Sequence, residues 1–438
     1  MASCYSLCQL LLNFQGATAL FIVRSLRSFN KKSFFLTPEV KEIIHPDTKL
    51  LKYHLNRKMQ KLTLQVTQRC NLRCDYCVYS GMYLTRTHEP KSMTFEVAKL
   101  AIDYILEHSV DEKRINFGFY GGEPLLELEL IEKCIAYISA RAFHKEVSYS
   151  ITTNGTLLTP EIFERLVNRD LHIMVSLDGP KEVHDSARKY EDGRGSFDDI
   201  MKNVLQIQER YPEDRDKLSF NAVISPNIGN SCAEELYKMS EILPYYDINM
   251  SLLSDTYIDE KIKYNEIFSA IYVREQTKLF LHMLGRLSKE NVSRLMYRGL
   301  SIYRDDYKLL NRIERLLPNI HPGGPCLAGA QRLFCNVDGV FFPCERVSEI
   351  SEPMKIGNVF EGIDEEKVSM LINVGKLTEE ECKNCWAILR CSMCAMHCDN
   401  LKELSREMRL LRCQEVMSSA ENSLKDICFL KLNGYDFD

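Results

Sequence analysis

The stretch CNLRCDYC, from Cys70 to Cys77, contains three cysteines in the spacing C-x3-C-x2-C. A closed structural zinc site takes four protein ligands, whereas three closely spaced thiolates leave one position open. Three thiolates can hold a [4Fe–4S] cluster by three of its irons, and the fourth iron then needs another ligand. The stretch therefore predicts a cluster that a small molecule with an amine and a carboxylate could complete. A zinc site completed by His or Asp is the alternative.

The sequence around the triplet predicts repeated β/α units, because the apolar period alternates between about two and about 3.6 residues. Helices are predicted at 94–108, 126–140, from Thr159 or Pro160, from near Ser196, at 232–243 and at 264–288. The predicted strands cover residues 62–66, 115–119, 147–151, 172–176, 218–224 and 248–253. Six parallel strands with crossover helices predict an α/β fold, a partial (β/α)6 barrel of the TIM type.

Four unusual motifs each follow one of these strands. They are the cysteine triplet, YGGEP (120–124), TTNG (152–155) and SLDGP (176–180). Barrels of β/α units place their active sites at the carboxyl ends of the strands, so the four motifs are predicted to meet there. Taken singly, each of the last three motifs could instead be an ordinary turn after a strand.

Residue types within these motifs suit a small zwitterionic ligand. Gly121 and Gly122 would let the backbone approach it closely, and Glu123 offers an acceptor for an ammonium group. Arg188 could pair with a carboxylate. The alternative for Arg188 is an ion pair on the protein surface.

The triplet with an aromatic residue before its last cysteine, followed by GGEP, resembles the radical S-adenosylmethionine (SAM) superfamily over about residues 61–260. The resemblance implies a [4Fe–4S] cluster that reduces SAM, yielding methionine and a 5′-deoxyadenosyl radical that abstracts hydrogen from the substrate. It also implies SAM contacts: Tyr76 with adenine, Gly121, Gly122 and Glu123 with the amino group, Asn154 and Ser176 with the ribose, and Arg188 with the carboxylate.

The cysteines are concentrated near the carboxyl terminus, since ten of the 17 lie between Cys326 and Cys428. Their spacing resembles the SPASM extension of radical SAM enzymes, which implies two auxiliary [4Fe–4S] clusters. The chain departs from the family pattern in one place, because Cys394 follows Cys391 after two residues and not three. A pair of zinc ribbons is the alternative, since C-x2-C pairs at a distance are typical of zinc.

The resemblance implies two sets of ligands for these auxiliary clusters. One set would be Cys326, Cys344 and either Cys394 or Cys398, with Cys335 as an additional candidate, and the other would be Cys382, Cys385, Cys391 and Cys413. If one cluster lacks a fourth protein thiolate, a cysteine of the substrate could bind there. By contrast, Cys134 lies on the apolar side of a predicted helix and is expected to be buried and inert.

Glu345 directly follows Cys344. In the sulfatase-maturating relatives an Asp at this place acts as a base, so the resemblance implies that Glu345 contacts substrate or relays a proton. The alternative is a surface carboxylate paired with Arg346.

Auxiliary clusters that accept electrons suggest an oxidation. The stretches CVYSGMY, FYGGEP and FFPCERVSE resemble maturases of cysteine-rich ribosomal peptides, which implies a precursor peptide, a thioether cross-link and a flavodoxin- or ferredoxin-type reductant. One alternative is sulfatase-type maturation, which oxidises Cys or Ser to formylglycine. A non-catalytic iron–sulfur electron carrier or scaffold is the alternative from another class.

The remaining features of the sequence concern organisation and location. A net charge of −5 without single-sign runs gives no sign of nucleic-acid binding. The uncharged start, residues 1–23, lacks the basic region of a secretory signal and contains polar interruptions, so a membrane anchor is not expected. An oxygen-labile cofactor and reduced thiols predict the cytoplasm.

The break HPGGP at 321–325 predicts where the cysteine-rich part begins. The predicted divisions are an N-terminal extension that could contribute to peptide recognition, a radical SAM barrel, a helical bridge and a SPASM domain, at residues 1–60, 61–270, 271–320 and 321–438.

Overall fold

The structure is a computed structural model. It describes residues 40–79, 83, 86, 88–224, 243, 246–258, 262–264, 266–312, 317–323 and 326–437. The strands are β1 (Glu42–Ile43), β2 (Lys61–Thr67), β3 (Arg114–Gly121), β4 (Glu146–Thr153), β5 (Leu171–Ser176), β6 (Leu218–Ile224), β7 (Asp247–Leu252), β8 (Asn319–Ile320), β9 (Leu333–Cys335), β10 (Val340–Phe342), β11 (Gly357–Asn358) and β12 (Gly362–Ile363).

Eleven α-helices are present in the described part of the chain. They are α1 (Leu51–Arg57), α2 (Phe95–Glu107), α3 (Leu128–Arg141), α4 (Pro160–Val167), α5 (Lys181–Ala187), α6 (Phe197–Arg210), α7 (Glu266–Met283), α8 (Arg298–Arg312), α9 (Glu365–Ile372), α10 (Glu379–Lys383) and α11 (Arg406–Leu432). Short 3-10 turns connect several of them.

The main sheet has ten strands in the order β12-β11-β10-β9-β2-β3-β4-β5-β6-β7. Strands β2 to β7 are parallel and adjacent in chain order, with Leu62 opposite Phe117 and Ile151 opposite Ile173. The six strands predicted from the sequence are confirmed, and their ends differ by at most two residues. The α/β fold of a partial barrel is therefore confirmed.

Local sequence explains how the helices begin. The side chain of Thr159 accepts a hydrogen bond from the backbone N–H of Ile162, and Pro160 occupies the first turn of α4, as predicted. Thr94 caps α2 in the same way. Helix α5 was not predicted, and the helix predicted at 232–243 lies almost entirely outside the described residues.

The core lies between the sheet and the helices that cover it. In β2 every residue from Leu62 to Thr67 is buried, as expected for a parallel strand covered on both faces. Phe117 and Phe119 of β3 are fully buried beside it. Cys134 on α3 is also fully buried, which confirms its predicted position.

The carboxyl-terminal part continues the barrel sheet. Strand β9 is parallel to β2, with Thr63 opposite Phe334, and β10 to β12 extend the sheet in antiparallel order. The predicted boundary at residue 321 is thus not a break in the sheet. This pairing could not be predicted from the sequence, because β9 has only three residues.

Strand β1 pairs with β8 and joins the described part of the N-terminal segment to the bridge. Residues 1–39, most of the predicted extension, lie outside the described residues. Among the residues that the structure describes, none belongs to a helix with the length and apolar character needed to cross a membrane.

Candidate functional site

The cysteine triplet lies in the loop that follows β2, at the carboxyl end of the parallel strands. Backbone N–H groups point at two of the sulfurs: Leu72 donates to Sγ of Cys70 at 3.4 Å, and Tyr79 donates to Sγ of Cys77 at 3.4 Å. All three cysteines are free of disulfides. Such hydrogen bonds favour the thiolate, the form in which cysteine binds metal.

Burial governs the ionisation of these thiols. It is the largest cause that raises the pKa of Cys70 and of Cys74, to about 12 in each case, and the neighbouring thiols contribute to the rise. The guanidinium of Arg188 acts in the opposite direction on Cys74. Metal loading must therefore displace protons from these sulfurs, and the mutual effects show that the three lie close together.

Two glycines pack the end of β3 against the triplet loop. A Cβ on Gly121, whose φ is +146°, would lie 2.1 Å from the carbonyl oxygen of Thr67. A Cβ on Gly122 would lie 2.1 Å from the carbonyl oxygen of Arg69, the residue before the first cysteine. Only glycine allows this contact, so the structure explains why both positions carry it.

Glu123 is fully buried behind this contact. Its Oε1 accepts hydrogen bonds from the N–H of Leu125 at 2.9 Å and the hydroxyl of Thr153 at 2.7 Å, and Oε2 accepts one from the N–H of Asn154 at 2.7 Å. The carboxylate thereby fixes the ends of β3 and β4 together. Its predicted contact with an ammonium group would use the remaining lone pair of Oε2.

Asn154 connects the end of β4 to the triplet. Its amide nitrogen lies 3.8 Å from Sγ of Cys70 and donates to Oδ1 of Asn71 at 2.8 Å. Ser176 is the last residue of β5 and is half-buried at the same end of the sheet. The structure thus brings both residues to the carboxyl ends of the strands, and their contact with a ribose stays a prediction.

Tyr76, Asp178 and Arg188 form a buried cluster beside the triplet. Nε of Arg188 donates to Oδ2 of Asp178 at 2.9 Å, and the hydroxyl of Tyr76 donates to the same oxygen. The guanidinium lies 5.3 Å from the centre of the Tyr76 ring. Arg188 is therefore not a surface ion pair, and its other nitrogens are the atoms that could reach a ligand carboxylate.

Asp178 was not singled out from the sequence, although it lies within SLDGP directly after β5. Its Oδ1 accepts the N–H of Val223 at 3.0 Å, and its own N–H donates to Nδ1 of His184 at 3.3 Å. A carboxylate placed directly after a predicted barrel strand was the signal that could have identified it.

The triplet fits a cofactor that leaves one metal position open. Three thiols that form no disulfide lie together at the carboxyl ends of the strands, and thiolates are the ligands of [4Fe–4S] clusters. A buried cation, Arg188, adjoins them. In the described part of the chain no three His, Cys, Asp or Glu side chains are placed to hold a single metal ion.

The carboxyl-terminal cysteines form two groups. The first, here called the proximal group, contains Cys326, Cys344 and Cys394. The pKa of Cys344 is raised to about 12, mainly by burial and in part by Glu345, Cys326 and Cys394. Cys326 is exposed, whereas Cys394 is half-buried. Of the pair left open by the sequence, Cys394 thus acts on the pKa of Cys344, and the choice between Cys394 and Cys398 as a cluster ligand stays a prediction.

The second, here called the distal group, contains Cys382, Cys385, Cys391 and Cys413, the predicted set. Burial raises the pKa of Cys413, Arg409 lowers it, and the other three thiols raise it. The pKa of Cys391 is likewise raised by burial, lowered by Arg409 and raised by Cys382 and Cys385. The four cysteines thus interact with one another.

Burial is the largest cause that raises the pKa of Cys398, and Arg409 lowers this pKa. Cys394 of the proximal group and Cys391 of the distal group both raise it as well, so Cys398 lies between the two groups. Cys335 does not join them. It is fully buried in β9, burial is the sole cause of its raised pKa, and its thiol contacts the carbonyl oxygen of Asn336 at 3.6 Å. Whether Cys335 ligates a cluster therefore stays a prediction: its side chain belongs to the hydrophobic core, as does that of Cys398.

Glu345 is partly exposed, and its Oε1 lies 4.0 Å from the guanidinium of Arg332. Among the described residues its ion-pair neighbour is therefore Arg332 and not the expected Arg346. The carbonyl oxygens of Glu345 and Val347 accept hydrogen bonds from Nη2 of Arg86 at 2.9 Å and 2.8 Å. Arg86 belongs to the loop that follows the triplet. This residue, missed in the sequence, therefore connects the triplet loop to the proximal group.

Comparison with known proteins agrees with this arrangement. Residues 64–239 match the model of the radical SAM superfamily. The chain is 27% identical over 231 residues to the radical SAM cyclopropyl synthase TigE of Paramaledivibacter caminithermalis, covering 49% of this chain and 47% of that protein. It is 31% identical over 188 residues to a cysteine-type anaerobic sulfatase-maturating enzyme of Clostridium novyi, covering 42% and 48% respectively.

The chain thus spans about half the length of these two relatives. Among solved structures it is similar to native anSMEcpe with bound AdoMet, with a TM-score of 0.59 and 22% identity. The superposition covers 83% of this chain and 100% of that one. This likeness shows the fold.

Proposed function

We propose that this chain, which contains a radical SAM domain in residues 64–239, is a radical SAM maturase of a peptide or protein substrate. The observation that carries the proposal is the contact made by Arg86. Its hydrogen bonds to the carbonyls of Glu345 and Val347 hold the loop after the triplet against the proximal group. A substrate bound there would reach both cysteine sites.

Cys70, Cys74 and Cys77 would hold the first cluster, and Tyr76, Gly121, Gly122, Glu123, Asn154, Ser176 and Arg188 would bind SAM. When bound, the cluster and SAM supply a 5′-deoxyadenosyl radical that removes a hydrogen atom from the substrate. The chain itself excludes water around the sulfurs and orients the ligand, since Asp178 fixes both Tyr76 and Arg188.

The product we propose is a thioether within a ribosomally made peptide. The proximal group has three interacting cysteines, and Cys326 is exposed, so a cysteine of the substrate could supply a further sulfur. A C–H bond and an S–H bond would break and a C–S bond would form. The hydrogen atom would leave with 5′-deoxyadenosine, the thiol proton would pass to Glu345, and one electron would leave through the auxiliary centres.

The second candidate is oxidation of a cysteine or serine to formylglycine. The relative from Clostridium novyi, a sulfatase-maturating enzyme by name, favours it. Either activity would need a low-potential reductant of the flavodoxin or ferredoxin type and a reducing compartment such as the cytoplasm. An electron carrier without catalysis is the remaining alternative.

The test uses the full chain, reconstituted without oxygen with iron and sulfide and supplied with SAM, dithionite and cysteine-containing peptides. Chromatography measures 5′-deoxyadenosine, and mass spectrometry measures the peptide before and after alkylation. A thioether removes two hydrogens, keeps the sulfur and blocks alkylation, whereas formylglycine formation from cysteine loses the sulfur. Absence of 5′-deoxyadenosine would refute both enzymatic proposals.

A further inference from the structure

Arg409 on α11 is a fully buried cation. The guanidinium stays protonated at any pH at which the protein is folded, so its charge lies inside the molecule. A buried charge is costly unless an opposite charge and hydrogen bonds compensate it. Within the described residues no carboxylate is paired with Arg409, and its hydrogen-bond partners are a hydroxyl and a sulfur.

The neighbouring arginine on the same helix shows the contrast. Nη1 of Arg412 lies 2.7 Å from a carboxylate oxygen of Asp255 and 3.0 Å from one of Glu415. Arg412 thus has two acidic partners at a partly exposed position. Arg409 is more deeply buried and is therefore the side chain whose charge needs another explanation.

The contacts of Arg409 lead to two cysteines. Nη1 donates to Sγ of Cys398 at 3.6 Å, and Nε donates to the hydroxyl oxygen of Thr378 at 2.9 Å. That hydroxyl lies 3.3 Å from Sγ of Cys382. Because the threonine oxygen accepts from Arg409, its own hydrogen is available to the sulfur of Cys382.

The other surroundings of Arg409 also indicate that a negative charge is missing beside it. Nη2 of Arg409 is buried without a hydrogen-bond partner in the described part of the chain. Thr378, Cys382 and Cys398 are all buried as well. A group of thiols becomes strongly anionic when it binds iron, and this would supply the missing negative charge.

We propose that Arg409 is the counter-cation of the distal group, and that it makes an iron–sulfur centre there easier to reduce. It acts through Thr378 on Cys382 of this group, and its direct contact is with Cys398, which lies beside the group. Arg409 and Thr378 are positioning residues, because neither is expected to touch substrate. This inference rests on the proposed function for the auxiliary centre itself.

The physical reason is electrostatic. Reduction adds one negative charge to the centre, and a nearby buried cation stabilises that charge strongly because little water screens it. Hydrogen bonds to cluster sulfurs also raise the reduction potential. Without the cation we expect the one-electron reduction equilibrium to become at least tenfold less favourable, which is about 59 mV.

The experiment is a redox titration of the reconstituted full chain, followed by electron paramagnetic resonance. A Cys70→Ala background removes the first cluster and simplifies the spectrum. Arg409→Gln is the main variant, Arg409→Lys retains the charge, and Arg406→Gln is the control. Arg406 lies on the same helix but is half-exposed and paired with Glu381.

We expect a lower potential for Arg409→Gln, at least partial recovery for Arg409→Lys and no change for Arg406→Gln. If Arg409→Gln does not fold, Thr378→Val decides, since it removes the hydroxyl that accepts from Arg409 and relays a hydrogen bond to Cys382 but keeps the charge of Arg409. Thr378→Val should lower the potential, making the one-electron reduction equilibrium at least twofold less favourable, and Thr378→Ser should restore the parent potential. An unchanged potential in the deciding variant overturns the inference.

Iron and sulfide counts separate this inference from the proposed function. If the parent chain takes up no iron at the distal group, both fail. If it takes up iron and the deciding variant keeps the parent potential, only the role of Arg409 fails.

Discussion

Arg86 and Glu349 form a buried ion pair, with 2.9 Å between Nε and Oε1. Oε1 of Glu349 also accepts a hydrogen bond from Gln65 of β2 at 2.6 Å. The guanidinium lies 5.4 Å from the centre of the ring of Tyr79. One buried network thus joins the first barrel strand, the loop after the triplet and the cysteine-rich segment.

The first prediction concerns the stability of this network. Arg86→Met should lower the free energy of unfolding by about 3–5 kcal/mol, because it leaves the charge of Glu349 buried and unpaired. Urea denaturation followed by circular dichroism measures the change. Lys355→Met, which breaks an exposed pair with Glu352, is the control and should cost less than about 1 kcal/mol. Equal losses in the two variants would contradict the role given to Arg86.

The second prediction concerns the triplet. Cys70→Ala or Cys74→Ala should abolish SAM cleavage, because each removes one of the three thiols that would hold the cluster. The measurement is 5′-deoxyadenosine formed under dithionite without oxygen. Cys134→Ala, which removes a buried thiol far from this site in the core, should retain cleavage. Cleavage by the Cys70→Ala protein at the parent rate would exclude the triplet as the cluster site.

The third prediction separates the two kinds of cluster. Cys391→Ala should retain SAM cleavage but stop formation of the modified peptide, because it disrupts the distal group and leaves the triplet intact. Paired assays of 5′-deoxyadenosine and peptide mass provide the measurement. Cys428→Ala, at an exposed cysteine of α11, is the control. Normal peptide modification by Cys391→Ala would show that the distal group is dispensable.

The fourth prediction concerns Asp178. Asp178→Asn should weaken SAM binding by about 10- to 100-fold, the usual range for the loss of an outer partner that orients a ligand-binding residue. The amide cannot accept equally well from both Arg188 and Tyr76. Equilibrium dialysis with labelled SAM measures affinity. Asp199→Asn, which breaks a surface pair with Arg194, should leave it unchanged; a similar loss there would point to a general effect.

The fifth prediction concerns acid stability. Burial lowers the pKa of His184 from 6.5 to about 4, so the native state keeps this side chain neutral while the unfolded chain takes up a proton. Stability should therefore fall as the pH drops from 6.5 to 4, by up to about 1.4 kcal/mol for each pH unit.

Urea midpoints at pH 7 and pH 5 measure this dependence. His184→Asn should reduce the slope with pH even if it lowers stability at both values, and His144→Asn, at an exposed histidine, should keep the parent slope. An unaltered slope in His184→Asn would mean that another group, such as buried His321, controls acid stability.

The barrel and its mouth followed from the sequence because they depend on local patterns. Period and turn residues located β2 to β7, and the strand ends brought the triplet, Gly121 and Asn154 together. Long-range pairing could not be predicted in this way. The contact of β9 with β2 joins residues about 270 positions apart, and β9 has only three residues, too few to show a distinctive period.

The buried arginines near the cysteine groups could not be predicted from the sequence either. Arg86 and Arg409 are single arginines with no spacing rule, and only burial distinguishes them from surface residues. Cys335 shows the complementary limit of the sequence. Spacing made it a candidate ligand, while its position in β9 turned its side chain into the core.

The pairing of β9 with β2 has a practical consequence for engineering. A chain shortened before β9 would uncover the hydrogen-bonding edge of β2 along Leu62 to Leu64, and an open parallel edge invites aggregation. If the cysteine-rich tail is transferred to a related barrel, strand β2 must be transferred together with it. The tail and the strand that leads to the triplet thus form one structural unit.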